Sequence, residues 1–347
     1  MAFSYLILGS GAIGRLVGVR LSAAGEDITF LVKDKAAEQI KANGIQLTGS
    51  MGNTSLARPT ITTSLNDVLT SQKIDVVILA VKSFHTPTII KLLQSASKTS
   101  PTVLCLQNGV DNEDLLSDAF GIENVIPGTV TSAVSISKIG AVNVDRERGI
   151  GIAAGHPYSL EIWKALNAAG FHTLLYPNAK AMKWSKLITN ILANATAAIC
   201  DIKPNEIFEH DRLFRLEITA IEETLTVMKG MQLPIVRLPR TPSHWLAFAI
   251  KRLPPWSYRS TLTNRVSKGR GAKYPSLHAD LLANREHSEI SYLNGTVHRH
   301  AKALGLAAPV NNGLANILSE IVTGKIPWGE YRHKPDRLAD SLLSGDF

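Results

Sequence analysis

The chain has 347 residues, 45% hydrophobic and 19% charged, with a formal net charge of +8. That length holds two domains with full cores, and that composition excludes a disordered chain. No apolar run approaches the ~20 residues of a membrane span. The N-terminus has no basic stretch ahead of an apolar segment, and no Cys/His cluster has metal-ligand spacing, so no metal is expected. Cys105 and Cys200 lie far apart in apolar surroundings, which suits reduced, buried thiols and a cytoplasmic setting.

Residues 5–14 read Tyr-Leu-Ile-Leu-Gly-Ser-Gly-Ala-Ile-Gly, an apolar strand running into Gly9-Ser10-Gly11-Ala12-Ile13-Gly14. Gly9 suits the tight turn, Gly11 a close approach of the backbone to phosphates, and Gly14 tight helix–strand packing. Helical periodicity over 12–24, a stop at Gly25 and a second strand over 27–32 supply the context of a dinucleotide fold. The plain alternative is a glycine-rich turn in an ordinary βαβ unit. NAD-preferring enzymes place an acid at the end of the second strand. Here Lys33 stands there, which favours the 2′-phosphate of NADPH/NADP+; an inward Asp34 would reverse that preference.

Further along, the pattern predicts a helix over 35–42, a buried strand over 75–81, and a helix over 86–96. It continues with a strand over 102–107, a helix over 111–119, a β-rich stretch over 125–137 and a helix over 159–169. This alternation predicts an α/β fold, an N-terminal Rossmann-type doubly wound parallel sheet. Ligands of such sheets bind beyond the carboxyl ends of the strands. Lys82-Ser83 and Gln107-Asn108-Gly109 fall there. From 178 onward the patterns are helical, which divides the chain into 1–177 and an all-helical domain over 178–347, with the chemistry expected in the cleft between them.

Residues 179–200 read as one helix rich in Leu, Ile and Ala. Lys183, Lys186, Asn190 and Asn194 recur along it at spacings that put all four within ~80° of one another. Buried amides without partners cost ~1–3 kcal/mol, so unless the stripe faces solvent it needs polar company from other side chains, ordered water or a ligand. A substrate-facing stripe bordering the cleft is the expectation. Residues 224–279 hold ten Lys or Arg and no Asp or Glu, interleaved with Trp245, Phe248, Trp256 and Tyr258. A solvated insertion, a basic rim that draws in anions, and a surface for nucleic acid or lipid are the three readings. Ser276 suits a helix cap and Glu289 a first helical turn.

Taken together, Gly9–Gly14, Ala80-Val-Lys82, Gln107-Asn-Gly109, Trp184-Ser-Lys186-Leu-Ile-Thr-Asn190, Pro275-Ser276 with Asp280, and Glu289-Ile-Ser-Tyr-Leu-Asn-Gly295 form a set. The chain resembles the ketopantoate reductases (2-dehydropantoate 2-reductases) from about residue 4 to about residue 305. The resemblance implies NADPH-dependent reduction of 2-dehydropantoate to pantoate, a precursor of pantothenate and coenzyme A. It implies Lys186 as the general acid and Glu289 as the second catalytic group. Asn190, Asn194 and Ser276 match substrate-binding positions. Asn108 matches an asparagine beside nicotinamide and substrate, Lys82 a cofactor-side lysine, and Lys33 the 2′-phosphate position. Hydride addition puts negative charge on the ketone oxygen, which an ammonium stabilises and protonates.

Two features depart from the family pattern: a Ser276–Glu289 spacing about one residue longer, and a basic insertion over 237–273. The alternatives are a related NAD(P)-dependent 2-keto/hydroxy-acid dehydrogenase with another substrate, and a non-catalytic dinucleotide-binding protein. The expected partner is a small-molecule 2-keto acid, with no nucleic acid and no stable membrane association. A homodimer is left open.

Overall fold

The computed structural model describes residues 3–96, 99–138, 140–270 and 274–343, with backbone alone at 137, 138 and 265–270. The end of the expected insertion, residues 271–273, lies outside the described residues. The chain divides into two compact units, Met1–Lys183 with Leu238–Thr241, and Trp184–Arg237 with Pro242–Phe347. The division falls later than 177, and a short piece of the 237–273 segment belongs to the first unit.

The first unit opens with β1 (Ser4–Leu8), α1 (Ala12–Ala23), β2 (Asp27–Leu31), α2 (Asp34–Asn43), β3 (Ile45–Gly49), β4 (Thr54–Leu56) and β5 (Thr60–Thr62). It continues with α3 (Leu65–Ser71), β6 (Val76–Leu79), α4 (Thr86–Ala96), β7 (Val103–Cys105), α5 (Asn112–Phe120), β8 (Val125–Val130) and β9 (Ala133–Lys138). Then come β10 (Ala141–Arg146), β11 (Ile150–Ala153), α6 (Ser159–Ala168) and β12 (Thr173–Tyr176). One sheet has the order β12-β11-β8-β7-β6-β1-β2-β5. From β8 to β5 it is parallel, while β11 runs antiparallel to β8.

Alternation places Tyr5 and Ile7 of β1 in the core on one face of this sheet, and Leu6 and Leu8 in the core on the other. Covered on both sides, central strands such as Val76–Leu79 are uniformly apolar. The winding reverses between β1 and β6, the position where such sheets open a crevice. A second sheet, β4-β3-β10-β9, was not anticipated. α1 touches β2 of the first sheet and β4, β9 and β10 of the second. That leaves α1 with buried residues on every side, Arg15 among them.

α7 (Ala179–Ile191) begins in the first unit and runs into the second. The second unit continues with α8 (Ala195–Cys200), α9 (Pro204–Glu209), α10 (Asp211–Gly230), α11 (Ser243–Arg252) and α12 (Pro255–Arg270). It ends with α13 (Ser276–Leu282), α14 (Asn294–Ala303), α15 (Pro309–Val322) and α16 (Pro335–Leu343). The single helix expected over 179–200 is broken. Ala193 adopts φ 52°, a left-handed conformation, and separates α7 from α8.

Buried carboxylates of α10 explain the break. Glu217 accepts from the Ala193 amide at 2.6 Å and from Thr196 Oγ1. One turn and a half later, Glu223 accepts the amides of Val310 and Asn311 at the start of α15, at 2.8 and 2.9 Å, where the helix dipole favours an anion.

The basic segment is packed at α11 and at the middle of α12, while residues 251–257 between them are exposed. Tyr258 and Leu262 of α12 are buried. Arg259 donates to the Phe208 and Glu209 carbonyls at 3.0 and 2.8 Å and pairs with Asp211, which ties α12 to α9. Phe248 and Trp256 remain exposed.

Candidate active site

In the first unit the sequence-predicted residues gather along the carboxyl edge of the large sheet. Gly9 follows β1, Lys33 follows β2 as the N-cap of α2, Lys82 follows β6, and Asn108 follows β7. The three glycines of the motif have different jobs. A Cβ on Gly9, which has φ 104°, would lie 2.5 Å from the Val81 amide nitrogen across the β1–β6 switch. A Cβ on Gly14 would lie 2.1 Å from the Gly9 carbonyl oxygen. A Cβ on Gly11 would meet nothing within 4 Å.

Gly9 and Gly14 therefore serve packing, and Gly11 keeps open space at the N-cap of α1. Gly11 has no side chain to cap the helix, so the first amides of α1 face that opening with the positive end of the dipole. Beside them Arg15 is 5% exposed, and its Nε and Nη1 have no hydrogen-bond partner among the described residues. Burial alone pulls its pKa down, with no acid to offset it. The open cradle at the start of α1 suits an anionic ligand such as a dinucleotide.

Lys33 and Asp34 are both exposed. Asp34 takes the first position of α2, where the helix dipole favours it.

Behind Lys82 and Asn108 lies a buried polar network absent from the sequence reading. Ser83 Oγ donates to the Asn108 carbonyl at 2.9 Å, and Asn112 Nδ2 donates to the same oxygen at 2.7 Å. Gln107 Nε2 donates to the Val81 carbonyl at 3.0 Å, and Thr86 Oγ1 donates to Asn112 Oδ1 at 2.9 Å. These bonds lock the loops after β6 and β7 to each other.

Lys183 belongs to this network and not to the ligand-facing stripe expected of it. It is 4% exposed, and its Nζ donates to the carbonyls of Gln107 at 2.7 Å and Gly128 at 3.1 Å. It also stands 2.7 Å from Glu113 Oε1 of α5.

In the second unit, Lys186 and Asn190 share α7, a turn apart, and both are half-buried. Trp184, the first residue of their motif, is buried and packs edge-on against His300 of α14 at 5.1 Å between centroids. Asn194 lies beyond the helix break, at the N-cap of α8, so it is off the straight α7 face. Its Nδ2 donates to the Asn190 carbonyl at 3.0 Å and to Ser276 Oγ at 3.3 Å. The Leu277 amide donates to Asn194 Oδ1 at 3.1 Å.

The Asn194 side chain thus bridges the Asn190 backbone carbonyl and Ser276 Oγ, with Lys186 one turn before Asn190. Glu289 is 2% exposed and opens the short 3-10 turn Glu289–Tyr292, which leads into α14.

One further buried residue of this unit was not singled out by sequence. His278, one turn after Pro275, is wholly buried, with Nε2 2.7 Å from Asp201 Oδ1. Both cysteines are buried and unbridged, and burial pushes both thiols up in pKa. Among the described residues no group of His, Cys, Asp and Glu is placed to hold a metal ion, and no helix is long and apolar enough to cross a membrane.

Residues 5–155 match the family model for ketopantoate reductase PanE/ApbA, and residues 178–322 match the model for its C-terminal domain. A 2-dehydropantoate 2-reductase of Pyrococcus horikoshii is 28% identical over 312 residues, covering 88% of this chain and 93% of that protein. One of Streptococcus pyogenes is 25% identical over 333 residues, covering 92% and 96%. Among solved structures, a ketopantoate reductase from Ralstonia eutropha superposes with a TM-score of 0.77 at 23% identity, over 93% of this chain and 99% of that one. D-mandelate dehydrogenase with NADH and anilino(oxo)acetate gives 0.76 at 20% identity, over the same shares. The fold is common to both of these structures, and the two domain models cover most of the sequence. The chain belongs to the ketopantoate reductase family, PanE/ApbA, a family of NAD(P)-dependent oxidoreductases.

Proposed function

We propose that this protein reduces 2-dehydropantoate to pantoate with NADPH. The observation that carries the reading is the cluster Asn190–Asn194–Ser276 one turn from Lys186. A 2-keto acid presents a carboxylate and a ketone. Asn194 spends both its N–H bonds on holding Asn190 and Ser276 together. The Ser276 hydroxyl and the Asn190 side chain suit the carboxylate, and an ammonium suits the oxygen that becomes an alkoxide. NADPH, when bound, supplies the hydride. Gly11 and the start of α1 hold its diphosphate, Lys33 its 2′-phosphate, and Lys82 and Asn108 its nicotinamide side. Lys186 gives the proton to the C2 oxygen, and Glu289 helps hold the substrate. The setting is cytoplasmic and the pathway pantothenate synthesis.

A second reading, reduction of another 2-keto acid with NADH, draws on Asp34, which stands beside Lys33 at the end of β2. The test is steady-state oxidation of NADPH and NADH with 2-dehydropantoate and a panel of 2-keto acids. The expected outcome is the highest kcat/KM with NADPH and 2-dehydropantoate. Lys186→Ala is expected to lose ~10²–10⁴-fold in kcat while still binding NADPH. A higher kcat/KM for another acid overturns the substrate assignment. A Lys186→Ala variant within a few-fold of wild type overturns the proton donor.

A further inference from the structure

We propose that the buried ion pair Lys183–Glu113 is a positioning pair for the reaction: it sets the Gln107–Asn108 segment against the first turns of α7. The inference rests on the reading of Asn108 as a nicotinamide-side residue.

An ammonium has three N–H bonds, and three acceptors surround this one. They are the Gln107 carbonyl at 2.7 Å, the Gly128 carbonyl at 3.1 Å and Glu113 Oε1 at 2.7 Å. The acceptors come from three elements: the loop after β7, strand β8, and helix α5. Neither Glu113 oxygen takes a hydrogen bond from a described group, so Glu113 meets Lys183 as a charge at ion-pair distance. Burial works against the charge on Lys183, but the nearby Glu113 carboxylate outweighs it and the net shift of the Lys183 pKa is upward.

A pair serving stability alone has a simpler solution, because apolar residues of equal volume are often as stable as a buried ion pair. What the apolar pair lacks is direction. The Gln107 carbonyl belongs to the peptide immediately before Asn108. The Asn108 carbonyl is in turn held by Ser83 and Asn112. Lys183 therefore fixes the peptide before Asn108, while Ser83 and Asn112 fix the peptide after it. It does so from a helix that carries Lys186 one turn later. A displacement of ~1 Å in such a segment can cost on the order of 10²-fold in rate.

The experiment compares wild type with the double variant Lys183→Met/Glu113→Leu, which leaves no uncompensated charge. NADPH affinity, the fluorescence of bound NADPH, hydrogen exchange at residues 106–112, and kcat and KM for the 2-keto acid are measured on both. The expected result is a folded protein with NADPH affinity within a few-fold and kcat lower by ~10–100-fold at similar KM. Altered nicotinamide fluorescence and faster exchange at 106–112 are expected with it. Wild-type kcat, fluorescence and exchange in the double variant overturn the proposal and leave a purely structural pair.

If the double variant fails to fold, Glu113→Gln, which keeps the volume and an acceptor but not the charge, is read in the same way. If wild type turns over no 2-keto acid, the reading of the function fails. The fluorescence and exchange of the variant then decide the positioning role alone.

Discussion

Asn194 Nδ2 donates to Ser276 Oγ across 82 residues of sequence, and the next amide, that of Leu277, donates back to Asn194 Oδ1. One side chain therefore sets the N-terminus of α13 against the N-terminus of α8. Asn194→Ala removes both bonds and leaves the Leu277 amide, in a buried residue, without its acceptor. We expect a stability loss of ~1–3 kcal/mol together with a raised KM for the 2-keto acid. Ser276→Ala costs one Asn194 N–H its acceptor but leaves the Leu277 amide paired, and is expected to raise KM with a smaller stability loss than Asn194→Ala. Denaturant melts and initial-rate kinetics on both variants measure this. Equal stability losses in the two would mean that Asn194 does not hold Leu277 in solution.

Lys33 is exposed at the end of β2, with Asp34 beside it in sequence. Lys33→Ala is expected to weaken NADPH and leave NADH nearly unchanged. An exposed lysine–phosphate contact is screened by salt, with a Debye length of ~8 Å at physiological ionic strength. The gap between the two cofactors should therefore narrow as salt is added. Fluorescence titration of both cofactors with both proteins is the measurement. A loss of equal size for NADH would place the Lys33 contact elsewhere than on the 2′-phosphate.

The Rossmann half was legible because its signals are local. Apolar strands, a glycine triplet and period-3.6 helices each sit within ~15 residues. The second sheet was not, since its edge strand β4 is three residues long with none of them buried, too short to show alternation. In the other half, the residue types of the site were legible and their geometry was not. Nothing in Leu192-Ala193-Asn194 marks a break. It is imposed by Glu217, 24 residues away, which captures the Ala193 amide. Lys183 shares the spacing of Lys186 and Asn190, and only its partner Glu113, far upstream, gives it a different job. Arg259 reads as one of ten solvated cations, yet its contacts with Phe208, Glu209 and Asp211 make it a clamp for α12.

Arg15 makes a prediction about stability in the absence of ligands. Its guanidinium is buried with two unpartnered nitrogens and no acid nearby enough to raise its pKa. Such a group is destabilising by ~1–3 kcal/mol relative to a satisfied one, and methionine fills similar space without charge. Arg15→Met is expected to raise the melting temperature of the ligand-free protein, by ~2–4 °C per kcal/mol gained. Differential scanning calorimetry without nucleotide measures it. A lower melting temperature would show that the guanidinium already has a partner in solution.

His278 gives the fold an acid-sensitive point. Its ring is wholly buried beside Tyr274, 4.2 Å between centroids, and it bonds Asp201, which Arg332 also binds at 2.7 Å. Burial lowers the His278 pKa; the bond to Asp201 opposes this and Arg332 adds to it. The folded pKa therefore lies below that of the unfolded chain, ~6.5. As pH falls through that value, the unfolded state takes up a proton that the native state resists. Stability is accordingly lost on acidification from about pH 7 to about pH 5.

Asp201 acts lower on the scale. Burial raises its pKa, but the bonds from Arg332 and His278 outweigh this and the net shift is downward, so its contribution is lost only once the pH falls below ~4. His278→Gln can keep an N–H donor toward Asp201 without the titration. The variant is expected to show a flatter stability profile between about pH 7 and about pH 5 than wild type. A remaining slope is expected from His156, whose pKa burial also lowers. Denaturant melts across that range give both profiles. Parallel profiles would mean that the ring of His278 takes up its proton as easily folded as unfolded, and that Asp201, and not burial, governs it.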